Sequence, residues 1–95
     1  MTTYTPAPVN TDDVTLPSEL NEAIELMAEH NHDTWAQGKI AKGYSCGPIT
    51  DDSVKLHKDL VPYDELPEET KDYDRDTCIA NLKLLYKLGY RIEKA

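Results

Sequence analysis

Between Leu20 and Trp35 the sequence steps by three and four: Leu20, Ile24, Met27, Ala28, Asn31 and Trp35. That spacing traces one face of a helix of about 3.6 residues per turn. Glu19, Glu22, Glu25 and Glu29 fall on the solvent side. A second stripe comes late in the chain, with Ile79, Leu82, Leu85 and Leu88 three apart and Tyr86 beside them. Neither helix can bury its stripe alone, so each must cover the other. The pattern predicts a mainly α domain. In it, Leu20, Ile24, Met27 and Trp35 face Ile79, Leu82, Leu85 and Leu88 in one core.

Size and charge narrow what such a pair of helices can do. Ninety-five residues make one small domain, able to bury roughly 60–65% of the surface of its unfolded chain. Eighteen acids against ten Lys plus Arg give a net charge of −8. A long nucleic acid and an anionic membrane both select basic surfaces, so neither is expected as a partner. No run of about 18 apolar residues exists and no secretory leader is visible, which points to a cytoplasmic protein. Cys46 and Cys78 lack Cys-x-x-Cys spacing and read as ordinary thiols. With only His30, His32 and His57 to join them, no metal site is expected, and no cofactor.

The boundaries are partly written in local chemistry. Residues 1–15 read as an extended arm belonging to the domain, because Pro6 and Pro8 block helix and Asn10–Asp13 is turn chemistry. The rest, 16–95, is the domain body. Its first helix should begin near Leu16-Pro17-Ser18-Glu19 and end at Gly43. Tyr44–Pro48 reads as a short extended piece entering a turn, and Asp51-Asp52-Ser53 as an Asx turn or helix cap. Leu66-Pro67-Glu68-Glu69 predicts a separate short helical turn. Asp74 or Asp76 then caps the last helix, which Gly89 ends. Tyr90-Arg91-Ile92 is a candidate short strand.

Charge is unevenly spread. Residues 1–38 hold seven acids and no Lys or Arg, while residues 39–60 hold four Lys against three Asp. Lys39, Lys42, Lys55 and Lys58 thus form the one basic concentration near Trp35 and Tyr44. No Gly-x-Ser-x-Gly, His-Glu-x-x-His or phosphate-binding Gly loop is present, so a non-enzymatic role is expected.

Several short motifs stand in a fixed order: His32-Asp33-x-Trp35-Ala36, Lys39-Ile40, Gly43-Tyr44-x-x-Gly47-Pro48 and Asp51-Asp52. They continue with Lys55-x-His57-x-x-Leu60-Val61-Pro62-Tyr63-x-x-Leu66-Pro67 and Leu88-Gly89-Tyr90. Together, from about Tyr4 to Ile92, they resemble the RyR domain. That repeat occurs in tandem pairs in the cytoplasmic part of ryanodine receptors and as single copies in bacteria and phages. This chain resembles such a stand-alone copy. The resemblance implies a compact helical module with two main helices, short helical turns, a minor β element and no catalytic activity. It also implies an adenine-nucleotide site lined by the His-x-x-Trp stretch, here His32 and Trp35, with Lys39 nearby. The sequence departs from the family at Tyr44, where Trp is frequent, at Cys46, where an aromatic is, and at Lys58, where Pro follows His.

These residues carry two readings each. Trp35 is a core residue of its stripe or a platform on which a base stacks. His32 holds a loop carbonyl or meets a ligand. His57 and Tyr63 pin Leu60-Val61-Pro62 to the helices, or line a site. The ligand-binding candidates are therefore His32, Trp35, Lys39, Tyr44, Lys55, His57 and Tyr63, in a module for a nucleotide or nucleotide-derived small ligand. The alternative is a protein–protein interaction module, self-pairing or docking a partner, with no small-molecule ligand.

Overall fold

The structure is a computed structural model and describes residues 3–95. Helix α1 spans Asn21–Ala41 and helix α2 spans Glu68–Lys87. A two-stranded parallel pair, β1 (Ser45–Cys46) and β2 (Leu56–His57), lies in the connection between them. Single 3₁₀ turns at Ser18–Leu20, Asp52–Val54 and Tyr63–Glu65 complete the chain. This is the mainly α architecture that the two stripes imply, with the minor β element that the resemblance adds. No helix among the described residues is long and apolar enough to cross a membrane.

Both long helices stop in the same way. Gly43 and Gly89 take positive φ values of 93° and 99°, which costs a residue without Cβ little. After α1, the Gly43 N–H donates to Ile40 O and the Tyr44 N–H to Lys39 O. After α2, the Gly89 N–H donates to Tyr86 O and the Tyr90 N–H to Leu85 O. Each pair of bonds is a Schellman motif, which satisfies carbonyls the helix leaves without partners. The Asx reading also holds: the Asp51 carboxylate accepts from the Ser53 N–H at 3.0 Å and starts the 3₁₀ turn.

Helix α2 begins earlier than expected. Pro67 stands at its N-cap, and Glu68 and Glu69 form its first turn, so the short turn foreseen at 66–69 is the start of the helix itself. Pro67 cannot donate a backbone hydrogen bond, but its carbonyl accepts from both Thr70 and Lys71. The acids of the first turn suit the positive end of the helix dipole. Asp74 and Asp76 are interior residues of α2, not caps. Tyr90-Arg91-Ile92 forms no strand. The Schellman turn sends the chain back along the helices, and Ile92 packs on the core instead of pairing with a backbone.

Among the described residues the core is two clusters and not one. Ile24, Cys78 and Leu82 are buried together, with Leu16, Leu20, Ile79 and Ile92 against them. Ala28, Tyr63 and Leu66 form the second cluster, with Val61. Met27, Leu85 and Leu88, expected inside, are exposed. Three-residue spacing explains the last two. Each step of three falls short of a turn by about 60°, so Leu88 sits about 180° from Ile79 around the axis. The stripe spirals off the buried face, and Cys78, four before Leu82, takes the vacant position. In urea melts, Leu82→Ala should cost about 2–4 kcal/mol. Leu88→Ala, on the exposed side, should change stability by less than about 0.5 kcal/mol.

Candidate functional site

His32 is the one buried polar residue of α1, 4% exposed. Its Nε2 lies 2.7 Å from Val61 O. A carbonyl can only accept, so Nε2 carries the proton. This bond draws the segment before Tyr63 onto α1, where Ala28, with no exposed surface, leaves room for the Tyr63 ring. The His32 ring lies 5.5 Å from the Trp35 ring and 6.2 Å from the Tyr63 ring. From β2, His57 meets Trp35 edge-on at 4.7 Å, and its Nδ1 accepts the Asp59 N–H at 3.1 Å. Four candidates, His32, Trp35, His57 and Tyr63, are thus in one aromatic cluster.

The other three lie beyond it, around the β pair. The Lys39 ammonium stands over the Tyr44 ring, 4.4 Å from its centre. The Tyr44 hydroxyl donates to Asp52 at 2.9 Å, which raises the phenol above its ordinary range. Lys55 donates to the Lys42 carbonyl at 2.8 Å and so supports the C-terminal end of α1. Lys55 is also the single non-glycine residue with positive φ among the described residues, at 55°. Lys39 and Tyr44 flank the Trp35 cluster; Lys55 is occupied as a cap.

Between the aromatic cluster and α2 lies a cavity of about 180 Å³, lined by His32, Trp35, Asp59, Thr70, Tyr73 and Asp74. Trp35 is half-buried, so one part of the indole is packed and another faces this space. Tyr73 is 73% exposed and stands at the mouth. Among the described residues, Asp59 and Asp74 form no ion pair. Burial pushes the Asp74 carboxyl above its ordinary value, and the nearby His32 acts in the opposite direction. Asp59, Thr70, Tyr73 and Asp74 are the lining residues that sequence reasoning missed. Thr70, Tyr73 and Asp74 follow the three- and four-residue spacing of one helix face, a signal hidden while α2 was started at Asp74.

A network on the other side of Tyr63 fixes the frame. The Tyr63 hydroxyl donates to Glu25 Oε1 at 3.0 Å, and Arg75 binds the same carboxylate through Nε at 2.7 Å and Nη2 at 2.9 Å. Arg75 also reaches Glu68 at 2.8 Å and Asp72 at 3.0 Å. The bidentate guanidinium holds the Glu25 carboxyl below its ordinary value. Burial and that carboxylate push the Tyr63 phenol up to about 12.

The RyR domain model matches residues 4–94, and the chain belongs to the RyR domain family. Membership places it among binding or interaction modules.

Two carboxylates with opposite shifts give opposite pH behaviour. Glu25 is held below 4.5, so its contribution is complete above that pH and is lost as pH falls through the lowered value. Glu25→Gln should lower the urea midpoint near neutrality and flatten its acid limb below about pH 4.5. Asp74 is raised above 3.8, so its ionisation works against the fold as pH rises through the raised value. Asp74→Asn should therefore raise the melting temperature at neutral pH.

Proposed function

We propose that this chain is a non-catalytic binding module for a nucleotide or nucleotide-derived ligand, whose base enters the cavity between Trp35 and Tyr73. The cavity beside the half-open indole carries the reading. At about 180 Å³ it is below the ~300 Å³ of a pocket that encloses a whole small molecule, so it suits a flat head group. An indole face supplies stacking, a contact worth about 1–3 kcal/mol in other systems. Unpaired Asp59 and Asp74 can accept N–H groups along a base edge, as acidic side chains do from amino-bearing bases. The same carboxylates repel a phosphate, which would turn outward to the Lys39 side. Trp35 and Lys39 are four residues apart on one helix and share a face.

Calorimetry with nucleosides and their phosphates tests this. Lys39→Ala should weaken phosphate-bearing ligands at least about fivefold and leave free nucleosides nearly unchanged, with the difference shrinking in added salt. Asp74→Asn should weaken both while stabilising the fold. Unchanged nucleotide affinity in Lys39→Ala would refute the orientation. An absence of heat with every nucleoside would refute the reading. An organic ammonium probe that outcompetes them all would make the cavity a cation site.

A further inference from the structure

The N-terminal half of α1 bears a surface feature separate from the Trp35 cavity. A groove of about 480 Å³ runs between this half of the helix and the C-terminal tail. Leu20, Ala23 and Leu26 line the helix side and Ile92 the tail side. Leu26 is 60% exposed, on a helix that also carries the exposed acids Glu22, Glu25 and Glu29. Large apolar side chains left open in a rimmed concavity mark contact surfaces more often than ordinary solvent faces. Glu19, Glu22 and Glu93 stand around the groove and Lys94 at its end; three negative and one positive leave the rim at −2. None of these carboxylates has a cationic partner among the described residues.

We propose that this groove docks a short amphipathic segment of a partner protein, with two apolar anchors about one helical turn apart and Lys or Arg beside them. The dimensions set the anchor number. Leu20 to Leu26 spans ~9 Å along the axis, enough for two apolar side chains at i and i+4 but not for a long helix. The rim sets the charge. Lys and Arg lay their methylene stems on apolar surface while their heads reach carboxylates. A second copy of the chain fits poorly, because a two-fold contact would place two such rims against each other on molecules of charge −8.

The test uses three fluorescein-labelled helical peptides: one with two Leu four apart flanked by Lys, its twin with Glu for Lys, and a scrambled basic control. The basic amphipathic peptide should bind at least about tenfold tighter than either of the others, and added salt should weaken it. Leu26→Asn and Glu22→Lys should each cost at least about fivefold, with urea midpoints falling far less than in Leu82→Ala because both side chains are exposed. Amide shifts should map to α1 before Ala28 and to the tail around Ile92. Three outcomes would overturn the proposal. They are equal affinity for the basic amphipathic and scrambled peptides, no binding at millimolar peptide, or shifts confined to the Trp35 cavity. Concentration-dependent dimerisation abolished by Leu26→Asn would overturn it in favour of a second copy.

Discussion

The hydrogen bond from His32 Nε2 to Val61 O is the contact on which the central half of this molecule depends. It joins the middle of α1 to a segment that has no regular structure of its own. Val61 packs on the second cluster, Tyr63 closes over Ala28, and the Tyr63 hydroxyl reaches the carboxylate that Arg75 clamps. Without the imidazole, a carbonyl near the core would lose its partner at a cost of about 1–3 kcal/mol, and the turn at Tyr63–Glu65 would lose its anchor. The two helices share the Ile24–Cys78–Leu82 cluster, but that cluster alone does not place the connection between them. A small domain with two modest clusters relies on such polar links because each apolar cluster contributes little by itself.

The same ring also lines the cavity beside Trp35. Structural and binding roles for His32 are therefore compatible, since one nitrogen is committed to Val61 and the ring forms part of the cavity wall. Asp74 supplies the contrast. It lies half-buried without an ion pair among the described residues, and its ionisation opposes folding. Helix α2 had a cation available: Arg75 is the next residue, but it points to Glu25, Glu68 and Asp72 on the other side. On the proposed reading, a destabilising charge at the edge of the aromatic cavity exchanges stability for ligand recognition.

Much of the fold was legible in the sequence where one residue decides the local geometry. Gly43 and Gly89 mark helix ends because a positive φ is required there, and Asp51 caps its turn through its own side chain. The first stripe is read correctly at Ile24 and Ala28, where mixed three- and four-residue steps hold the phase. The second misleads because constant three-residue steps look periodic while rotating away from the core. The start of α2 was missed for a related reason: Leu-Pro-Glu-Glu announces a helix equally well whether it lasts one turn or five. That error hid the acidic wall of the cavity. The aromatic half of the site was visible in the His32–Trp35 spacing; its partners Asp59, Tyr73 and Asp74 come from elements whose approach only the packed connection fixes.

The charge pattern around Trp35 has a consequence that the net charge conceals. Asp59 and Asp74 lie at the cavity, while Lys39 stands one helical turn along from Trp35, over Tyr44. Four residues of helix separate Trp35 from Lys39 by ~6 Å along the axis, less than the screening length of about 8–10 Å in physiological salt, so a ligand seated at Trp35 would still feel the lysine. A molecule with hydrogen-bond donors at one end and negative charge at the other would be aligned by that field before any close contact forms. A long polyanion would meet the acidic helices on both sides and gain little from one lysine. On the proposed reading, the local dipole, and not the total of −8, is what would select among ligands.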